Sequence, residues 1–151
     1  MRVALDTNVL AYAEAVNGAA MRDRALTVIE RLPSSAVVLP AQTLGELFNV
    51  LVRKARWRPA RARTAVLNWR DAYAVVETSA AVIVSATDLA SDRGLTIWDS
   101  VVLAATAVAE CRLLLSEDLQ EGFTWRGVTV TNPFAARLHP LLAALLARRE
   151  E

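Results

Sequence analysis

Short apolar segments alternate with segments of helical periodicity along the whole chain, and this alternation limits the folds that the sequence can adopt. Strands are predicted at residues 2–5, 36–39, 73–77, 112–115 and 128–131. Helices are predicted at residues 8–15, 19–32, 41–55, from Pro59, from Ser79 to Gly94, at 98–109, and in the tail after Pro133. Strands that alternate with helices indicate a parallel sheet. We therefore expect a three-layer α/β fold, with a mostly parallel sheet of four to five strands and helices on both faces.

The bulk properties of the chain limit its class. Its 151 residues predict one domain over residues 1–151, with the tail from about residue 135 the least defined part. No apolar run approaches the roughly 18 residues of a spanning helix, and Met1 leads directly into a strand without a signal peptide. The single Cys111 allows no internal disulfide, which suits a reducing compartment. We expect a cytoplasmic protein without a membrane segment.

Acidic residues directly follow two of the predicted strands. Asp6 follows the first strand, and Ser116, Glu117 and Asp118 follow the strand that ends at Leu115. Ligands of open parallel sheets bind beyond the carboxyl ends of the strands, so both positions suit a functional site. Asp6 or Ser116 could instead cap a helix, with the acids near its dipole. If the two strands are neighbours, their carboxylates repel unless a cation joins them, and oxygen ligands favour Mg²⁺ or Mn²⁺.

Two further acids lie in apolar surroundings. Asp99 opens the most apolar helix, although Thr96 three residues earlier also fits a helix cap. Glu46 lies on the predicted helix 41–55, whose apolar face is formed by Leu44, Leu47, Phe48 and Leu51. Glu46 points the other way with Asn49 and Arg53, which suits either a solvated surface or a phosphate-binding cleft.

A basic stretch separates two of the predicted helices. It contains no acid, and its basic residues are Arg53, Lys54, Arg56, Arg58, Arg61 and Arg63. Such a cluster can simply face water, or it can bind a phosphate backbone while Trp57 stacks on a base. We take Arg53, Lys54, Arg56 and Arg58 as the candidate nucleic-acid-binding residues.

Together these motifs resemble the PIN domain, and specifically the VapC-type toxins of bacterial toxin–antitoxin pairs. The motifs are LDTNVL, TLGELFNVLVRKA, GLTIWDSVVLAA, LLLSEDLQEG and VTVTNPF, which span about residues 2–134. The resemblance implies a compact PIN-like α/β fold with four acids at one end of the sheet. Those acids fall on Asp6, Glu46, Asp99 and Asp118, with Glu117 a weaker candidate than its neighbour.

The resemblance also implies a metal-dependent endoribonuclease that acts on RNA, is inhibited by a cognate antitoxin protein and commonly forms a homodimer. A divalent ion held by carboxylates can activate water and neutralise a phosphodiester without histidine. The expected metal ligands are Asp6, Asp99 and Asp118, with Mg²⁺ or Mn²⁺ as the ion. Glu46 is expected to bind metal or orient water, while Asn8 and Ser116 position the acids.

Several other protein classes need residues that this sequence lacks. A haloacid-dehalogenase-type phosphatase needs a second Asp where Asn8 stands, and both it and a response-regulator receiver need a downstream lysine, whereas the only lysine is Lys54. The only histidine, His139, is far in sequence from the acids, which excludes a histidine-pair ribonuclease. Two alternatives stay open: a catalytically silent PIN-fold module that binds protein or nucleic acid, and a DNA-directed nuclease.

Overall fold

The computed structural model describes residues 1–148 of the chain. The strands are β1 (Arg2–Leu5), β2 (Val37–Pro40), β3 (Ala74–Val76), β4 (Cys111–Leu115), β5 (Thr124–Trp125) and β6 (Val128–Thr131). The helices are α1 (Thr7–Ala13), α2 (Ala19–Arg31), α3 (Ala41–Arg53), α4 (Pro59–Ala72), α5 (Ala80–Arg93), α6 (Ile97–Val108) and α7 (Pro140–Ala147), and a 3₁₀ turn covers Ser34–Ala36.

The strands form one sheet in the order β3-β2-β1-β4-β6-β5, and every pair is parallel except β5 with β6. The chain first moves from β1 through β2 to β3, and then crosses back to place β4 on the other side of β1. The strand order therefore reverses between β1 and β4, where the loops after the two strands diverge and leave a crevice.

Strand residues alternate between two cores, one on each face of the sheet. Val3 and Leu5 pack with α1, α2, α3, α4 and α7, whereas Ala4 between them packs with α5 and α6. Alternation is the rule for a strand, and apolar residues on both sides of β1 mean that both faces are covered. The predicted three-layer arrangement is confirmed.

The structure corrects the prediction in two places. The sheet of residues 1–148 has six strands rather than four or five, because Thr124–Trp125 form a short antiparallel edge strand. The tail becomes helical only at Pro140, and Leu142, Leu145 and Leu146 of α7 are buried in the larger core. Within residues 1–148, no helix combines the length and apolarity that crossing a membrane requires.

Candidate active site

Two of the predicted acids lie at the point where the strand order reverses. Leu5 of β1 pairs with Leu115 of β4, and the backbone N–H of Asp6 donates to the Leu115 carbonyl at 3.0 Å. This register places Asp6 beside Ser116, the first residue after β4. The condition under which the two strand ends bring their carboxylates together, that β1 and β4 are neighbours, is therefore met.

The Asp6 carboxylate is buried and has two sets of partners. It is the N-cap of α1, where Oδ1 accepts a hydrogen bond from the Thr7 backbone N–H at 2.8 Å. Its other oxygen, Oδ2, accepts from the Ser116 hydroxyl at 2.8 Å, and Ser116 is itself fully buried. The capping interpretation is thus correct for one oxygen, while the second oxygen belongs to a network that joins β1 to β4.

Asn8 links Asp6 to Asp118. Its side-chain Nδ2 lies 3.4 Å from Asp6 Oδ2, 3.2 Å from Ser116 Oγ and 3.3 Å from Asp118 Oδ2, while its Oδ1 accepts from the Glu117 backbone N–H at 3.1 Å. One amide therefore spans both strand ends and fixes the loop after β4. This contact set places Asn8 and Ser116 where they can position the two acids.

The alternative explanation for Asp118, a helix dipole, does not apply. The segment after β4 is a sequence of bends rather than a helix, and the one bond from the following backbone that Ser116 Oγ accepts within residues 1–148, from the Leu119 N–H, is long at 3.4 Å. Asp118 is exposed at the mouth of the site. Its position therefore has no capping function to explain it.

Glu46 reaches the same site from α3, with both carboxylate oxygens held. Oε2 accepts from the Thr7 hydroxyl at 2.6 Å, and Oε1 accepts from the Gln42 amide at 3.0 Å. Leu44, Leu47 and Leu51 on the opposite face of α3 are buried, as predicted. Glu46 is therefore an oriented acid at the edge of a cleft rather than a freely solvated side chain.

Asp99 lies in the first turn of α6, on the other side of the sheet. Its backbone N–H donates to the Thr96 hydroxyl at 3.2 Å, so the predicted cap at Thr96 is formed. Within residues 1–148, however, the Asp99 carboxylate itself accepts no hydrogen bond. The side chain is therefore left available, and its charge is close enough to raise the pKa of Asp6.

The electrostatics of the site are dominated by negative charge. Burial raises the pKa of Asp6 to about 6; hydrogen bonds from Ser116 and Thr7 oppose the rise, and the charges of Glu46 and Asp99 add to it. Burial also raises the pKa of Tyr12, and the charges of Glu117 and Asp118 contribute. Negative charges that oppose each other's ionisation in this way favour the binding of a cation.

A divalent cation fits the donor set of this site. The candidate ligands are carboxylates, the donors that Mg²⁺ and Mn²⁺ prefer, and the charge of Asp6 is compensated only by neutral hydrogen-bond donors. In the described residues, no three acid, histidine or cysteine side chains already converge closely enough to hold an ion. The convergence of Asp6, Asp99 and Asp118 on one ion thus stays a prediction.

A cleft of about 740 Å³ opens beside these acids, between α1 and α3. Thr7, Asn8, Glu46 and Asp118 line its acidic end. The remaining lining residues include Ala11, Tyr12, Val16, Asn17, Gln42, Gly45, Asn49, Val50, Lys54 and Thr78. Asp6 lies behind Thr7 and Asn8 and does not line the cleft.

The basic stretch lies next to the cleft, and its residues line two different surfaces. Lys54 lines the cleft itself, whereas Arg53 and Arg56 line a separate hollow of about 480 Å³ with Phe48 and Val52. Asn49 lines both, so the two surfaces are continuous. The predicted grouping of Glu46, Asn49 and Arg53 is therefore only partly formed, because Lys54 replaces Arg53 in the cleft.

Two aromatic side chains differ from their predicted roles. Trp57 is partly buried against the larger core, and the Arg61 guanidinium lies 3.6 Å from its ring centroid, so it does not present a free face to a base. Phe48, the second aromatic residue, lies at the edge of the apolar face of α3 and is 39% exposed.

Arg58, the last of the four candidate nucleic-acid-binding residues, precedes α4 as its N-cap residue and is exposed.

Sequence analysis missed three residues of this site. Thr7 and Gln42 hold Glu46, and Tyr12 lines the cleft near Asp118. The signal for Gln42 was its spacing of four residues before Glu46 on one helix, which brings two side chains together. His139 caps α7 by accepting a hydrogen bond from the Leu141 N–H, which accounts for the only histidine.

Comparisons with known proteins agree with this geometry. A family model described as the PIN domain matches residues 3–121. A search of curated protein sequences gave no significant match.

Solved structures of similar fold include three from toxin–antitoxin systems or their relatives. The Mycobacterium tuberculosis toxin VapC20, described as cleaving the sarcin–ricin loop, is 19% identical with a TM-score of 0.64, covering 77% of this chain and 89% of that one. A toxin–antitoxin complex from Klebsiella pneumoniae is 19% identical with a TM-score of 0.65, covering 87% and 98%. A FitAB complex bound to a DNA fragment is 18% identical with a TM-score of 0.67, covering 91% and 99%. At these identities, the likeness shows the fold alone.

Proposed function

The chain belongs to the PIN-domain family, and from this premise we propose that it is a divalent-metal-dependent endoribonuclease and the toxin of a type II toxin–antitoxin pair. The observation that carries the proposal is the network at the β1/β4 edge. There, Asn8 and Ser116 hold Asp6 and Asp118 together, while Thr7 holds Glu46 beside them. Asp99 is the fourth acid of the proposed site.

In this proposal, Asp6, Asp99 and Asp118 hold Mg²⁺ or Mn²⁺. When bound, such an ion lowers the pKa of the attacking water and neutralises the developing charge on the phosphate. Asn8 and Ser116 keep the Asp6 and Asp118 carboxylates oriented, since each carboxylate oxygen that accepts a hydrogen bond loses rotational freedom.

Glu46 has a separate task in this proposal. Because Thr7 and Gln42 fix both of its oxygens at the edge of the cleft, Glu46 can orient the attacking water and accept its proton. Lys54 lies in the same cleft and can offset the charge of the phosphodiester. No histidine takes part, which is consistent with the capping contact of His139.

The substrate that we propose is unpaired RNA. Single-stranded segments can enter a small cleft and expose their bases, whereas the edges of a duplex are difficult to reach. Arg53 and Arg56 extend the cleft through the adjoining hollow, and Arg58 follows them on the surface, so these cations can contact flanking phosphates. The protein partner is an antitoxin, as in the complexes of similar fold, and the assembly is a homodimer.

The test is cleavage of labelled total RNA by the purified protein with Mg²⁺, with Mn²⁺ and with chelator, using Asp99→Asn as the variant. We expect metal-dependent cleavage by the wild type and a loss of at least about 100-fold in the variant, as for the removal of an essential metal ligand. Asn suits the first turn, so stability should change by no more than about 1 kcal/mol. Asp92→Asn, an exposed acid near the end of α5, is the matched control and should cleave like the wild type.

The outcomes separate the alternatives. Cleavage that is equal in chelator, or unchanged in Asp99→Asn, would contradict the proposed metal site. A wild type that binds metal but cuts only single-stranded DNA would be the DNA-directed nuclease. A wild type that cuts neither polymer and binds no metal would be the silent module.

A further inference from the structure

Within residues 1–148, Gly45 is the only glycine whose backbone conformation gives no reason for a glycine at its position. The other four, Gly18, Gly94, Gly122 and Gly127, have φ between 69° and 89°, where glycine is favoured. Gly45 lies in the middle of α3, where glycine destabilises a helix relative to alanine. A Cβ built on Gly45 would have no atom within 4 Å, so packing does not require a glycine either.

The absence of a side chain at Gly45 affects the space inside the cleft. Gln42 and Asn49 lie three and four residues from it on the same helix face, Glu46 follows it directly, and all four residues line the cleft. A side chain at position 45 would therefore project into the open space beside Glu46. A helix that lacks a side chain at such a point lets a ligand approach its backbone closely.

The rest of the cleft has the chemistry of a site for a nucleobase. Ala11, Val16 and Val50 supply apolar surface, which suits the face of a base, and the Asn17 and Asn49 amides offer donors and acceptors to its edge. Of the residues that the structure describes, Lys54 is the single lysine or arginine that lines the cleft. A cleft with one cation and much apolar and amide surface suits a base with its phosphate better than a run of phosphates.

One lining atom points independently to a missing partner. Thr78, between β3 and α5, lines the cleft, and its buried Oγ1 has no hydrogen-bond partner within residues 1–148. Buried polar atoms are nearly always paired, so an orphaned hydroxyl at the wall of a cleft is a position for a ligand group.

We propose that the Gly45 wall of the cleft receives the base of one unpaired nucleotide next to the scissile phosphate, and that the absence of a side chain at Gly45 leaves room for it. This assignment rests on the proposed ribonuclease function, because the acids beside the wall define which phosphate is scissile. Gly45 is then a residue that determines substrate binding, without touching the reacting atoms.

The experiment measures base-dependent binding in chelator, so that no cleavage occurs. The probes are a fluorescein-labelled RNA octamer pool of random sequence and an abasic octamer with the same number of phosphates. The wild type should bind the pool about tenfold more tightly than the abasic strand, the size of one stacked base. Gly45→Leu should lose that preference and cleave RNA at least about tenfold more slowly, since its side chain fills the base site.

Two further variants keep the result interpretable. Gly45→Ala should raise Tm by about 2–4 °C, because alanine is the better helix residue, and should weaken binding less than Gly45→Leu. Ser91→Leu adds the same side chain to an exposed position near the end of α5, on the opposite face of the sheet, and should bind and cleave like the wild type.

The possible failures are distinct. A wild type with no preference for bases would overturn the base site. A Gly45→Leu variant that keeps both the preference and the cleavage rate would overturn it as well. If that variant also lost binding to a protein partner, the wall would be assigned to a protein segment. Metal-dependent cleavage by the wild type would survive either result. A base preference without any cleavage would instead keep the site and reject the nuclease.

Discussion

Asp6 combines two functions that usually belong to different residues. One carboxylate oxygen caps α1, and the other accepts the Ser116 hydroxyl across the gap between two strands. Burial of a carboxylate disfavours its charge, and the nearby Glu46 and Asp99 charges disfavour it further. An acid used only for capping would gain nothing from this burial, since an exposed Asp or Asn caps a helix equally well.

The raised pKa of Asp6 predicts a pH dependence of the metal-free protein. The pKa is about 6 in the folded state against an ordinary value of 3.8, so the folded state binds the proton more tightly. Stability contributed by Asp6 is therefore greatest below pH 4 and falls as the pH rises to about 6. Asp6→Asn removes this loss, and at pH 7 it should be more stable than the wild type by on the order of 3 kcal/mol, since one pKa unit corresponds to about 1.4 kcal/mol.

Urea unfolding of both proteins in chelator, between pH 4 and pH 7.5, measures this difference. Other acids titrate in both proteins, so the difference between the two curves is the relevant quantity. Asp92→Asn serves as the control and should follow the wild type at every pH. A constant difference between Asp6→Asn and the wild type across this range would contradict the raised pKa.

At the scale of elements, the ends of the helices were the most predictable features. Ser79 and Thr96 accept hydrogen bonds from backbone N–H groups in the first turns of α5 and α6, and Gly94 ends α5 in the left-handed conformation. These signals are local, so the sequence contains them in full. β5 was missed because two residues carry no periodicity, and its pairing with β6 depends on the turn at Gly127.

The sequence predicts that Asp6 and Asp118 follow the ends of strands, but it does not predict which side chains contact the acids. Parallel strands that end on carboxylates imply that Asp6 and Asp118 lie at one edge of the sheet. The hydrogen bond between Thr7 and Glu46 joins residues 39 positions apart, and it depends on how α1 packs on α3. Tyr12 was missed for the same reason, because a half-buried tyrosine on a helix gives no signal of the cleft that it lines.

The connection between α3 and α4 carries the prediction for nucleic-acid binding. Arg53 and Arg56 line the hollow that adjoins the cleft, and Arg56 has a positive φ of 61° in this turn. The double variant with Gln at both positions should weaken binding of single-stranded RNA in chelator. The slope of log K against log salt should fall by about 1.4, since each contact with single-stranded RNA contributes about 0.7.

The matched control replaces Arg70 and Arg112 by Gln, which removes the same charge. Arg70 lies near the end of α4, before β3, and Arg112 lies near the start of β4, at the edge of the sheet away from the acids. This variant should keep the wild-type slope. Equal slopes for both double variants would show that the α3–α4 connection is only a solvated surface.

At the scale of the whole molecule, the packed cores lie on the two faces of the sheet, and the acidic site lies at one end of it. The larger core, which includes α7, lies on one face of the sheet, whereas Asp6 and Asp118 follow the ends of β1 and β4. Arg24 reinforces the docking of the C-terminal segment by donating to the Phe134 carbonyl at 2.5 Å. A loss of core packing should therefore lower the stability of the fold without changing the affinity of the site for a metal ion.

Metal-linked stability tests this separation. An ion that binds only the folded state stabilises it by about 2.7 kcal/mol at a concentration 100-fold above its dissociation constant. For a chain of this length, we expect Mn²⁺ to raise the wild-type Tm by roughly 5–10 °C over the value in chelator. Asp6→Asn should start from a higher Tm in chelator at pH 7 and show little or no rise.

Leu142→Ala provides the opposite control. Leu142 is fully buried in α7, and its truncation should cost about 2–5 kcal/mol through lost burial and a cavity. Its Tm should therefore be lower in chelator, while the rise with Mn²⁺ should equal that of the wild type. A wild type that melts at the same temperature with and without Mn²⁺ would leave Asp6 as a buried helix cap. A metal-induced rise that disappears in Leu142→Ala would show instead that the ion binds to the packed fold as a whole rather than to the acids at the sheet edge.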